Sequence, residues 1–124
     1  RKGHLTSDVF VSSSNAVTED GKLVNADGTG NRVAAMIFGP PKVIVVAGIN
    51  KIVKDVHAGI ERIRNVATPM NVKRAGGTTP CVVDTCNLET CSPPNRHCHA
   101  ITILEKRPTK TDTTVILVGE ELGF

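Results

Sequence analysis

Apolar residues along this chain fall into two patterns, continuous β-branched runs and positions spaced three or four apart. One such run covers residues 43–47, Val-Ile-Val-Val-Ala, with no polar break. A run of that kind suits a parallel strand covered on both faces. Just before it, Gly39, Pro40 and Pro41 form a helix stop. Upstream of the stop, Val33, Ala34, Ile37 and Phe38 recur at helical spacing and predict a helix over 31–38. Val9, Phe10 and Val11 predict a strand that ends in Ser12, Ser13, Ser14 and Asn15. Residues 16–25 read as a β-hairpin, with Val17 and Thr18 facing Leu23 and Val24 across an Asp20-Gly21 turn. Residues 50–67 read as one amphipathic helix, capped by Asn50 and ended by Thr68 and Pro69. Its apolar stripe is Ile52, Val53, Val56, Ile60, Ile63, Val66 and Ala67. Residues 70–80 read as a loop broken at Gly76-Gly77, and strands over 100–104 and 113–118 as a C-terminal hairpin.

These elements predict a single α/β domain over residues 1–124, with a mostly parallel sheet flanked by helices. The strands are few for such a sheet, and the chain opens at Arg1, without Met, in what reads as the tail of a helix. Both features suggest the C-terminal piece of a longer, truncated domain. The expected consequence is an uncovered apolar edge or face that needs a partner.

The candidate chemistry gathers at the turn Asp27, Gly28, Thr29, Gly30 and Asn31. Glycines there allow positive φ, and the helix start that follows has unpaired N–H groups and a positive dipole end. That geometry suits a small anion, with Arg32 supplying charge. In open α/β sheets ligands sit beyond the carboxyl ends of the strands. This places Ser13, Ser14 and Asn15 after the first strand, and Asn50 and Lys51 after the 43–47 strand, around the same crevice. Glu19 beside the hairpin turn is the candidate base or nucleophile. The plainer readings are a hydroxyl-rich turn for the serines and a solvated carboxylate for Glu19. No nucleotide fingerprint is complete, because Gly28-x-Gly30 lacks a third glycine.

The four cysteines, Cys81, Cys86, Cys91 and Cys98, lie in one polar, turn-rich stretch. Such a stretch cannot bury a core of its own, so a cross-link is expected. Four thiolates suit zinc or an iron–sulfur cluster, with His97 and His99 as substitute ligands. No C-x-x-C pair is present, so the spacing matches no standard finger or ferredoxin run. Two disulfides, redox chemistry and plain free thiols remain the alternatives.

Composition narrows the partners. The net charge of +3 is spread along the chain, and only three Phe and no Trp or Tyr are present. Without stacking groups or a basic stripe, nucleic acid is not expected. No apolar run nears the ~20 residues of a membrane span, and the expected compartment is cytoplasmic.

The run NAVTEDGKLVNADGTGNRVAAMIFGPPKVIVVAGINKIVKD resembles the LUD domain, the lactate utilization family. The cysteine loop and the closing VILVGEELGF are similar to members from anaerobic bacteria. The resemblance implies a NagB/RpiA/CoA-transferase-like α/β fold and a parent with a leading helical and strand segment. It implies a link to the multi-subunit, iron–sulfur-dependent oxidation of L-lactate to pyruvate, with partner subunits or a homo-oligomer. Other members are single-domain proteins. The family's motif falls on Asn15, Glu19, Gly21, Asp27, Gly28, Thr29, Gly30, Asn31 and Arg32, then on Gly48, Asn50 and Lys51. The cysteine pattern departs from relatives with a closer C-x-x-C pair. The alternative expectation is a non-enzymatic module that senses an anion or a redox state through a metal-clipped cysteine loop.

Overall fold

The structure, a computed structural model, describes residues 2–124; Arg1, the start of the expected helix tail, lies outside the described residues. After a short helix α1 (Gly3–Thr6), three strands build a parallel sheet: β1 (Val9–Ser12), β4 (Lys42–Gly48) and β7 (Asp112–Val118), in the order β1-β4-β7. The uninterrupted apolar run takes the central place, as its pattern predicts. Val43, Val45 and Ala47 are buried on one face. A second, mixed sheet has the order β5-β2-β3-β6, formed by β2 (Ala16–Thr18), β3 (Leu23–Asp27), β5 (Ile52–Val53) and β6 (Ala100–Leu104).

The predicted hairpin is present, with Val17 opposite Leu23 and Ala16 opposite Val24. Period-two alternation then sends these pairs to opposite faces. Val17 and Leu23 join Phe10, Val43, Val45 and Ala47 around α2 (Asn31–Ile37), which contributes Ala35 and Met36. Ala16 and Val24 pack instead against Ile63 on the long helix beyond the second sheet. The face α2 buries differs from the expected one: Val33, Ala35 and Met36 are inside, while Ile37 and Phe38 are exposed.

Residues 50–67 are not one helix. Ile49–Lys51 form a 3₁₀ turn, and Ile52 and Val53 pair in parallel with Val17 and Thr18 as β5. The apolar residues expected to open the stripe thus complete a sheet. The helix starts at α3 (Val56–Arg62), where the Asp55 side chain, not Asn50, accepts the Ala58 N–H at 2.9 Å. It does not stop at Thr68-Pro69. A π-helical turn (Ile63–Ala67) leads directly into α4 (Thr68–Arg74), with Pro69 in its first turn. A widened turn just upstream accommodates a residue that cannot donate an N–H and whose ring crowds the preceding carbonyls.

The C-terminal hairpin is also absent. β6 runs antiparallel to β3, whereas β7 runs parallel to β4 in the other sheet. Both sequences suit a strand, but pairing with distant strands decided the partner. A further short helix, α5 (Pro80–Val83), opens the cysteine loop. One face of the β1-β4-β7 sheet carries exposed Val9, Val11 and Ile116, so apolar surface is left uncovered in the described residues. No helix among them is long and apolar enough to cross a membrane.

Candidate functional site

The carboxyl ends of β1, β4 and β7 open into one cleft of about 550 Å³. Ser12 and Ser13 line it after β1, Lys51 after β4, and Leu122, Gly123 and Phe124 after β7. Ala26, Asp27 and Gly28 at the end of β3 form a second wall, with Asn15 and Arg32. Thr68, Asn71 and Arg74 of α4 form a third wall, extended by His97 and Cys98. A cleft of this size at the strand ends is where an α/β sheet binds small ligands.

The expected anion cradle on the glycine turn is already filled. Gly30 takes a positive φ of 86°, and the helix begins at Asn31 as predicted. However, the Asp27 carboxylate reaches the free end of the helix and accepts the Val33 N–H at 2.9 Å. The anion at this terminus is therefore the protein's own. Arg32 is likewise committed. Its Nε donates to Asp27 Oδ1 (2.9 Å), Nη1 to Ser13 O and Asn25 Oδ1 (3.1 and 2.9 Å), and Nη2 to Asn15 Oδ1 and Ala26 O (3.0 and 3.1 Å). A guanidinium has five N–H groups, and these acceptors take all of them. Arg32 is a clasp that ties the ends of β1, β2 and β3 to α2, not a ligand-binding charge.

Other expected site residues are tied into the scaffold or lie outside the cleft. Asn15 bridges β2 and β3, accepting the Ala26 N–H at 2.9 Å. Asn31 turns away toward α1, with Nδ2 3.3 Å from His4 Nδ1. Ser14 is buried and donates to Ala16 O at 2.9 Å. Thr29, Gly30 and Asn31 are outside the cleft lining, and so is Glu19, which is exposed at the far end of β2. Glu19 therefore has no access to a ligand in this cleft. Asn50 acts on the C-terminal tail: its Oδ1 accepts the Leu122 N–H at 3.0 Å, and its Nδ2 donates to Leu122 O and Gly123 O at 3.3 and 3.2 Å. Gly48 permits this approach. A Cβ there would collide with Glu120 O and lie 2.6 Å from Leu122 N.

Lys51 is the exception among the charged residues. Only 5% of its surface is exposed, and among the described residues it has neither a hydrogen-bond acceptor nor a carboxylate partner. Its Nζ faces the tail, 3.8 Å from where a Cβ on Gly123 would stand. Burial lowers its pKa to about 8, helped by the positive charges of Arg62 and Arg32. Arg62 is held by Asn50 O and Asn15 O at 2.8 and 2.9 Å.

Sequence reasoning missed the α4 and tail contributions. Arg74 lies over the Phe124 ring, 5.1 Å from its centroid. A helix expected to end at Pro69 could not present Asn71 or Arg74, and a lone terminal Phe carries no sequence signal. Asp27, already bound to Arg32, is the sole side-chain carboxylate among the lining residues, against Arg32, Lys51 and Arg74. The cleft is therefore electropositive.

The four cysteines are free thiols and line one smaller space of about 20 Å³ beside the cleft. Burial pushes the Cys86 thiol up, and proximity to Cys81, Cys91 and Cys98 adds to this while Arg64 opposes it. His99 is engaged with Arg96 O at 2.9 Å. Among the described residues no three His, Cys, Asp or Glu side chains already stand as a metal cage. The donor set nevertheless suits a thiophilic metal.

Among curated proteins and among solved structures, none matches the chain. A family profile described as the LUD domain matches residues 1–118. That match spans nearly all of the chain, and with the α/β fold and its parallel sheet it shows that the chain belongs to the LUD domain family, which is associated with lactate utilization proteins.

Proposed function

We propose that the cleft binds a small organic anion, a 2-hydroxy or 2-oxo carboxylate of the lactate–pyruvate type, with Lys51 as its charge partner. The observation that carries this reading is the isolated Lys51 ammonium, buried at the strand ends and facing open space. A buried cation without a partner is costly. A carboxylate that enters the cleft supplies the missing charge and a strong charge-assisted hydrogen bond. Ser12, Ser13 and Asn71 add neutral polar groups for the hydroxyl or oxo end of the ligand. The family's association with lactate utilization agrees with this ligand class.

The reading is of binding and presentation of the anion by this chain. Any oxidation needs a cofactor, which on this reading resides in a partner subunit. A chain that binds the anion but supports no lactate oxidation even with its partner subunits and an electron acceptor present would instead favour a sensing module.

Calorimetric titration with L-lactate, pyruvate and inorganic phosphate tests the proposal. The expected result is binding by the wild-type chain and at least tenfold weaker binding by Lys51→Met. No binding by the wild type, or equal affinity for both proteins, overturns it.

A further inference from the structure

The stretch that follows α5 is held mainly by side chains: Arg96 donates to Cys91 O and Cys98 O at 2.8 and 2.9 Å, and Asn95 Nδ2 to Thr78 O at 3.0 Å. Among the described residues, the backbone–backbone hydrogen bond within residues 85–98 is Cys91 N–H to Asn87 O, at 3.0 Å. Yet all four cysteines of the chain converge on one small, partly open space between this stretch and α4. Two of the sulfurs have a hydroxyl at hand. Thr68 Oγ1 is 3.2 Å from Cys98 Sγ, and Thr79 Oγ1 is 3.0 Å from Cys81 Sγ. Hydroxyls so placed donate to a thiolate and support it. Arg64 also lines this space, and its Nε is sealed from solvent with no acceptor. A buried donor left unpaired is unfavourable, and a negative group in the space would satisfy it.

We propose that Cys81, Cys86, Cys91 and Cys98 form a four-thiolate site for a single soft divalent cation, zinc by its ligand preference. One cation and four thiols give a complex of charge −2 and release four protons. That negative charge is what the orphaned Arg64 Nε lacks. The space of about 20 Å³ holds one water-sized body, which favours a single ion over a polynuclear cluster. The sulfurs have to draw together on binding, and the sparse backbone bonding of the loop leaves room for that. The ion would supply the cross-link that this coreless stretch needs. It would also fix the cleft wall, because Thr68, His97 and Cys98 border both spaces.

The full chain is reduced, freed of metal and dialysed to equilibrium against zinc. Metal content, thiol reactivity and proton release are then measured, and cobalt is added in a parallel sample. The expected result is one zinc per chain, four protected thiols, four protons released and a tetrahedral thiolate spectrum with cobalt. Cys86→Ser should weaken zinc binding by a hundredfold or more. The cobalt spectrum of the wild type stands even if that variant fails to fold. Thr68→Val should weaken zinc by about tenfold, and Lys51→Met should leave zinc stoichiometry unchanged, which separates this site from the anion cleft. Four reactive thiols with no zinc retained would overturn the proposal. So would bound iron with inorganic sulfide, or a chain that holds two disulfides after purification.

Discussion

Asp27 holds Arg32 at 2.8 Å with one carboxylate oxygen while its other oxygen caps α2 through Val33 N–H at 2.9 Å. The two side chains together close the crevice that the glycine turn would otherwise open to a ligand. Both are largely shielded from solvent, so neither tolerates loss of the other.

Arg32→Ala is therefore expected to act on stability. It strips acceptors at Ser13, Asn15, Asn25, Ala26 and Asp27 of their donor at once. The expected cost is on the order of 3 kcal/mol, read from urea denaturation. Asp27→Asn should cost less, because an amide oxygen can still cap α2. A double-mutant cycle should give coupling between the two of about 1–3 kcal/mol. Arg32→Ala of wild-type stability but reduced anion affinity would return Arg32 to the ligand.

Lys51 ties stability to pH in a definite direction. Its pKa of about 8 in the fold is below the ordinary 10.5. Between those values the unfolded chain binds more protons at this group than the folded one, so stability rises with pH across that window. Below about pH 8 the folded chain carries the full penalty of a buried ammonium. Lys51→Met should be the more stable protein at neutral pH, and the difference from wild type should shrink toward pH 10.5, in urea midpoints measured across the range. Anion binding has the opposite dependence. Affinity for a carboxylate should fall as pH rises past about 8, because the ammonium is lost.

The parts of the fold that were legible in the sequence rest on local pattern. Residues 43–47 suit a parallel strand, which they form, though the face of Ile44 and Val46 is not covered as expected, and Asp20-Gly21 between apolar pairs suits a tight turn. Ile52 and Val53 fit the stripe of a helix equally well, and the open edge of β2 claimed them instead. β6 and β7 illustrate the same limit, since each found its partner far away in the chain. At the site, position beyond the strand ends pointed to Ser13, Asn15 and Lys51, and the structure places all three in the cleft lining. What distinguishes Lys51 from Arg32 is a count of partners, and the acceptors around Arg32 come from three separate strand ends. No spacing rule conveys that.

The observed helix start has its own test. Asp55→Ala removes the side chain that accepts the Ala58 N–H and should destabilise the chain by about 1 kcal/mol in urea denaturation. Asn50→Ala should leave the cap of α3 untouched, as Asn50 bonds the tail instead. Helical content that falls with Asn50→Ala and not with Asp55→Ala would reverse the assignment.

The closing tail should control access to Lys51. It is fastened at few points: Ile49 N–H donates to Glu120 O at 3.0 Å, and Asn50 clamps Leu122 and Gly123. Gly48 is the residue that lets the tail come this close, and an added methyl would fall on Glu120 O and 2.7 Å from Asn50 Oδ1. Backbone cannot yield there as a flexible side chain would, so Gly48→Ala should release the tail. Asn50→Asp should do so more mildly, because a carboxylate keeps the acceptor for Leu122 N–H but faces two carbonyl oxygens with no donor. Both variants are expected to expose Leu122 and Phe124 to proteolysis and to bring more water to Lys51. With the ammonium resolvated, its pKa should move back toward 10.5. The pH at which anion affinity falls would then shift upward in Gly48→Ala, measured by calorimetry across pH. A tail as resistant to proteolysis as the wild type, with the same pH profile, would show that the tail does not set the burial of Lys51.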